Sequence, residues 1–210
     1  MMRYRILPVT HYQQNCSLVW CDRTGQAALI DPGGEPERLL QAVYEAGLTL
    51  KMILLTHGHV DHVGAASAIA TARQVAIIGP HEADAFWLET LPQQAQHFGF
   101  PPTPTFSPDR WLHDGEHIAL GKLTLQVLHT PGHTPGHVVF YSTDGGTAFV
   151  GDVLFQGSIG RTDFPQGDYD TLIHSIKERL LPLGDTVTVV PGHGPNTTLG
   201  EERQHNPFLR

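Results

Sequence analysis

The chain has 210 residues, 40% of them hydrophobic and 16% charged, with a formal net charge of −8 when histidine is neutral. These figures suit one soluble α/β unit and exclude a disordered chain. The acidic balance argues against a nucleic-acid partner, whose phosphates want a basic face. The N-terminus has no apolar leader core and no stretch approaches membrane-spanning length, so a cytoplasmic protein without a membrane partner is expected.

Residues 3–9, 16–20 and 26–30 predict three strands, a meander joined by turns at 11–15 and 22–25. Cys16 and Cys21 share the second strand, five residues apart. An odd separation turns the thiols to opposite faces, against a mutual disulfide. Asp31-Pro32-Gly33-Gly34 is a strong stop, and Asp31 ends a strand as His57 does, which makes it a candidate to support a site from behind. Leu39, Leu40, Val43 and Ala46 recur at helical spacing over 36–46, closed by Gly47. Residues 52–55 read as a short buried strand, 65–70 as a run of helix formers and 75–78 as another strand. Residues 81–91 predict a helix with Phe86, Trp87 and Leu91 on its apolar side. The proline-rich loop 99–109 divides one domain, 1–210, near residue 105 into two halves, each ordered strands, helix, strand, helix. In the second half, 123–128, 137–141, 147–150 and 186–190 predict strands, 170–181 an amphipathic helix and 199–204 a last short helix. His81 and His97 lie outside any ligand-spaced cluster and are read as non-ligands. His113 and His117 flank a turn and are expected at the surface.

The densest chemistry lies at His57-Gly58-His59-Val60-Asp61-His62, three imidazoles and a carboxylate between a buried strand and a helix. These are the ligand types of neutral-pH transition-metal sites, at the strand end where open α/β sheets bind their ligands. Gly58 lets the backbone bend so that His57 and His59, two apart, need not face opposite ways. Asp61 and His62 are adjacent and diverge in regular helix, so the run suits two neighbouring metals better than one. Surface histidines on a loop are the plain alternative, and the density of ligand types argues against it. Three later places repeat one design, strand end, glycine, ligand: Gly132-His133, Gly151-Asp152 and Gly192-His193.

With His57-x-His59-x-Asp61-His62 followed by His133, Asp152 and His193 in this order, the chain resembles the metallo-β-lactamase superfamily over essentially its whole length. The resemblance implies an αββα sandwich, two sheets face to face with helices outside, and a two-metal site at one edge. It implies that His57, His59 and His133 hold one divalent ion and that Asp61, His62 and His193 hold the other. Asp152 then bridges them. Zinc is the ion expected, with iron or manganese as the other candidates.

Lactam-cleaving members often have Cys at the place of Asp152 or lack the bridging carboxylate. The stretches Pro131-Gly132-His133-Thr134-Pro135-Gly136-His137 and Gly160-Arg161-Thr162-Asp163-Phe164 are similar to the glyoxalase II branch and its persulfide dioxygenase relatives. The Gln14-Asn15-Cys16 run and the stretch from Pro191 to Leu209 look closest to the short, single-domain bacterial glyoxalase II group. That resemblance implies hydrolysis of a glutathione thioester such as S-lactoylglutathione by a metal-bridging hydroxide, with Asp61 and Asp152 as catalytic carboxylates. A thiol with pKa near ~8.5 leaves as thiolate without a dedicated general acid. Arg161 is the one named substrate-binding candidate, set against a plain salt bridge to Asp163. Longer glyoxalase II chains hold glutathione with basic residues of a C-terminal extension, whereas this chain stops at Arg210, so weak glutathione binding is expected. The alternatives are a mononuclear-iron persulfide dioxygenase and a metal-loaded binding protein without turnover. A monomer is expected.

Overall fold

The computed structural model describes residues 1–210. Strands β1 (Met2–Val9), β2 (Gln14–Cys21) and β3 (Gln26–Ile30) form the expected antiparallel meander. Helix α1 (Pro36–Glu45) crosses to β4 (Thr49–Leu54). The one-turn α2 (Val60–Val63) and α3 (Ala66–Arg73) then lead to β5 (Ala76–Ile78). The first sheet runs β1-β2-β3-β4-β5, with β3, β4 and β5 parallel. Helices α4 (Ala85–Glu89) and α5 (Leu91–Phe98) precede the 99–109 segment, which has neither helix nor strand.

The second sheet begins with β6 (His117–Leu120), β7 (Leu123–His129), β8 (Val138–Ser142) and β9 (Thr147–Gly151), all antiparallel. A short hairpin, β10 (Leu154–Phe155) with β11 (Ser158–Ile159), and α6 (Tyr169–Ser175) come next. Strands β12 (Thr188–Pro191) and β13 (Thr197–Thr198) and helix α7 (Leu199–His205) end the chain. The order is β13-β12-β9-β8-β7-β6, with β12 parallel to β9.

Alternation along the strands sorts the core into layers. Val19, Ala28, Ile30 and Leu54 of the first sheet pack between the sheets with Val127, Val138, Phe140 and Phe149 of the second. Their strand neighbours Leu18, Leu29 and Ile53 face outward onto Leu39, Ile69 and Leu91 of the helices. Val139, Ala148, Val150 and Val189 likewise meet Leu172, Ile176 and Leu199 on the far side. The central strands are apolar on both faces because both faces are covered, which is the physical content of an αββα sandwich. Cys16 and Cys21 fall in different layers, both buried and free, as their odd spacing requires. No helix is long and apolar enough to cross a membrane.

Several local expectations need correction. The helix expected over 81–91 is a 3₁₀ turn (Glu82–Asp84) and α4, broken at Thr90 (φ −100°, ψ 9°), and α5 then restarts. Pro92 in the first turn of α5 has no N–H to continue the earlier ladder, and Gly99 closes α5 in the left-handed conformation. The helix expected over 170–181 is regular only in α6 and continues as a π turn and a 3₁₀ turn. Ala46 lies exposed, and Ala42 fills its expected place in the core. Strands β6, β10, β11 and β13 were not expected from the sequence, and the last three are only two residues long.

Candidate metal centre and groove

Because β3, β4 and β5 are parallel, and β12 runs with β9, the carboxyl ends of several strands open on one edge. Asp31 follows β3, His57 follows β4, Asp152 follows β9 and His193 follows β12. The loop after β7 adds His133. All seven residues expected as ligands meet there. His57 Nε2 lies 3.0 Å from His59 Nδ1, and His133 Nε2 lies 3.1 Å from the same atom. Beside them, His193 Nε2 is 3.1 Å and His62 Nε2 3.6 Å from Asp61 Oδ2. The Asp152 carboxylate stands between the two groups, its Oδ2 3.8 Å from His133 Nε2 and 3.7 Å from His193 Nε2, its Oδ1 3.3 Å from His62 Nε2.

The tautomers are set from behind, as outer hydrogen bonds to ligand imidazoles usually do. The Thr56 hydroxyl donates to Asp31 Oδ2 (2.6 Å), so its oxygen accepts from His57 Nδ1–H (2.9 Å). Asp31 Oδ2 also accepts from His62 Nδ1–H (2.9 Å), and Asp31 Oδ1 from the Thr56 N–H (2.7 Å). His133 Nδ1–H donates to the Arg161 carbonyl (2.7 Å) and His193 Nδ1–H to the Tyr12 carbonyl (3.2 Å). Four Nε2 atoms are thereby turned inward. The support expected of Asp31 is present.

Burial pushes His57, His59 and His133 below the ordinary histidine range, which keeps these rings neutral and their lone pairs free. Burial opposes the charge on Asp152 and Asp61, but the His62 cation outweighs it and holds both carboxyls below their usual range. Burial likewise opposes a charged His62, and Asp152 and Asp61 outweigh it, raising this ring well above the ordinary value. The pair of carboxylates thus calls for positive charge. His62 Nε2 and Asp152 Oδ1 are buried with no hydrogen-bond partner. A buried imidazole nitrogen and a buried carboxylate oxygen left unbonded 3.3 Å apart, beside the neutral rings of His57, His59 and His133, suit a divalent metal ion taking the place of the His62 proton, and the donor set, nitrogen and oxygen without thiolate, fits one.

Three supporting residues were missed in the sequence. Asp84, fully buried, accepts from the Gly58 N–H (2.9 Å), the Thr134 hydroxyl (2.9 Å) and the Gly136 N–H (2.6 Å), tying the loop of His57 and His59 to the loop of His133. Burial raises its carboxyl to about 6. His137 stacks on His57 at 4.8 Å, and its Nε2 accepts from the Asp152 N–H (3.1 Å). The Gln94 amide accepts from the Val60 N–H (2.9 Å) and donates to the Trp87 carbonyl (2.7 Å), anchoring α2. Only His137 left a signal, the repeat Pro131-Gly132-His133 against Pro135-Gly136-His137. Gly58 is needed for close approach rather than for a bend. It has no positive φ, but a Cβ there would stand 2.6 Å from Trp87 Cβ. Gly151 needs both properties, with φ 49° and a Cβ that would meet His137 Nε2 at 2.7 Å.

A groove of about 1190 Å³ opens over the cluster. Phe164 and Trp87 flank it beside His59, with ring centroids 4.8 and 4.5 Å away. Tyr12, stacked on Phe100 at 5.3 Å, forms another wall near His193. Arg161 lines the groove, and it also pairs bidentately with Asp163 (2.9 and 2.8 Å) and covers the Phe164 ring at 4.4 Å. The salt bridge to Asp163 expected as the plain alternative is thus present, at the edge of the groove. His97 lines the groove away from the cluster, His81 stacks on His129, and His113 and His117 are exposed.

The model of the Metallo-beta-lactamase superfamily matches residues 9–193. The chain is 54% identical to the hydroxyacylglutathione hydrolase GloC of Haemophilus influenzae, covering 99% of this chain and 98% of that protein. The crystal structure of TTHA1623 in a di-iron-bound form superposes with TM-score 0.89 at 42% identity, covering 98% and 100%. That of the BLEG-1 B3 metallo-beta-lactamase does so with TM-score 0.91 at 38% identity, covering 99% of both. By family model, sequence and architecture alike, the chain belongs to the metallo-beta-lactamase superfamily.

Proposed function

We propose that the protein is a metal-dependent thioester hydrolase that cleaves a glutathione thioester of the S-lactoylglutathione kind. The observation that carries this reading is the pairing of two complete ligand groups around one shared carboxylate in a chain 54% identical to a hydroxyacylglutathione hydrolase. His57, His59 and His133 would hold one divalent ion, Asp61, His62 and His193 a second, and Asp152 both. The di-iron form of TTHA1623, 42% identical, supports occupancy by two ions. Zinc remains our expectation from the donor set, with iron or manganese as competitors that elemental analysis separates. Bound there, such ions polarise a carbonyl and make water nucleophilic at neutral pH.

The chain's own groups do the remainder. Asp61, on the open side of the cluster, orients the attacking water and accepts its proton. Asp152 fixes the spacing of the two ligand groups, and His137 fixes Asp152 through its backbone. Trp87 and Phe164 exclude bulk water from the reacting carbon. The new bond forms between water oxygen and the acyl carbon, the C–S bond breaks, and the thiolate leaves unaided because its conjugate acid has a pKa of only ~8.5. The two free cysteines support a cytoplasmic setting, and a monomer remains our expectation.

The test is elemental analysis of reconstituted protein together with hydrolysis of S-lactoylglutathione. Two ions per chain and turnover are expected. Saturation at one iron without hydrolysis would favour the persulfide dioxygenase reading, and full metal without turnover on any thioester the binding-protein reading. Lactam cleavage is a second hydrolase reading, favoured by the likeness to BLEG-1. Faster turnover of a chromogenic cephalosporin than of the thioester would put it first.

A further inference from the structure

We infer that the groove recognises its substrate through an apolar, preferentially aromatic acyl group, and that the charged ends of glutathione contribute little to binding. This substrate class concerns the same site and rests on the thioester-hydrolase reading. Two independent features of the groove lead to it.

The first is the chemistry of the walls. Beside His59 and His133 stand Trp87 and Phe164, their rings 6.0 Å apart and edge-on, close to where the reacting carbon must lie. On the side of His193 the wall is Tyr12 and Phe100, with Phe155 beside the His193 ring at 6.5 Å. Such rings bind apolar and aromatic groups over most of their surface, and among them only the Tyr12 hydroxyl and the partnerless Trp87 N–H can donate to a carboxylate. A lactoyl group, small and hydroxylated, leaves most of that surface wet.

The second feature is the count of charges. Of the 24 residues lining the groove, Arg161 is the one with a guanidinium or ammonium group. Its fork is already filled by both oxygens of Asp163, and its flat face lies on Phe164. The carboxylates among the lining residues are Asp61 and Asp152, both turned to the metal cluster. Glutathione brings two carboxylates and one ammonium; for the former the groove presents uncharged donors such as the Gln93, Gln96 and Gln156 amides but no unpaired guanidinium or ammonium group. Planar, bidentate recognition of a carboxylate needs a free fork.

The experiment compares acetyl, lactoyl and phenylacetyl thioesters of glutathione on the metal-loaded protein, each kcat/KM divided by the ester's own hydroxide-catalysed rate. Phenylacetyl is expected to exceed acetyl at least tenfold, and a smaller ratio overturns the acyl assignment. Replacing glutathione by N-acetylcysteamine in the phenylacetyl ester is expected to lower kcat/KM less than tenfold, and a larger loss overturns the thiol assignment. Asp163→Asn frees the Arg161 fork at the surface and should raise the glutathione-to-N-acetylcysteamine ratio at least threefold. An unchanged ratio refutes the view that this pair withholds the cation. Calorimetry with S-benzylglutathione and S-methylglutathione gives a readout without turnover, with at least tenfold tighter binding expected for the benzyl compound. If no ester is hydrolysed while that binding ratio holds, the hydrolase reading fails and the groove assignment stands. If hydrolysis proceeds without the ratios, the reverse is true.

Discussion

Replacing Asp84 tests how the two ligand loops are held in register. Its two oxygens receive three donors, two of them backbone N–H groups of buried glycines, from loops that carry His57 and His59 on one side and His133 on the other. Asparagine keeps one acceptor oxygen and can donate to the Thr134 hydroxyl oxygen, but one glycine N–H then faces its NH₂ whichever way the amide is turned. Such an unpaired buried donor costs about 1–3 kcal/mol. Against this, burial raises the Asp84 carboxyl from 3.8 to about 6, so removing the charge at neutral pH relieves about 3 kcal/mol at 1.36 kcal/mol per pKa unit. The two effects are of similar size. Asp84→Asn should therefore lie within about 2 kcal/mol of wild type at pH 7, whereas Asp84→Ala, with both N–H groups unpaired, should lie about 1–3 kcal/mol below the Asn variant. Function should divide differently. Both variants loosen one loop against the other, and a misplacement of about 1 Å at a catalytic centre costs on the order of 10²-fold in rate. Denaturant titration of metal-free protein, metal content by elemental analysis and thioester kcat together read these effects. An Ala variant as stable as the Asn variant, or full metal content and wild-type kcat in both, would refute the view that Asp84 ties the loops.

The same carboxyl gives a pH signature. Its folded value is raised, so between about 4 and 6 the folded chain holds a proton the unfolded chain has released, and this part of stability falls as pH rises through that window. Asp84→Asn should remove the slope, gaining on wild type by about 3 kcal/mol between pH 4 and 7 in metal-free protein, and parallel curves would contradict the assignment. Asp152→Ala should lose nearly all turnover and at least one metal equivalent, while His113→Ala, exposed and remote from the cluster, should change neither. Asp31→Ala should weaken the group that contains His62 by removing the acceptor for its Nδ1–H, and unaltered metal stoichiometry and affinity would exclude that role. Arg161→Ala should leave kcat nearly intact and raise KM for S-lactoylglutathione no more than about fivefold, because its fork is already filled by Asp163 and any further exposed ion contact is worth ~1 kcal/mol or less. A tenfold rise would make Arg161 a principal substrate contact.

The amino-acid sequence by itself determined the parts of this protein that are local. A buried strand has to be apolar, and a chain that leaves it at a tight turn with histidine or aspartate announces a ligand within a few residues. The cluster of His57, His59, Asp61, His62, His133, Asp152 and His193 was therefore legible, as were the three strands of the meander and the layer assignment of Cys16 and Cys21. The tertiary structure alone decided what those residues lean on. Asp84 sits in a 3₁₀ turn that looked like ordinary helix, and its partners lie 26, 50 and 52 residues away. No periodicity records a hydrogen bond to a backbone N–H, because every residue type offers that group. His137 and Gln94 escaped for the same reason, one touching the backbone of Asp152 and the other that of Val60. The aromatic walls were present in the sequence as scattered rings, and only the fold brought Trp87 and Phe164, 77 residues apart, edge to face at 6.0 Å beside His59.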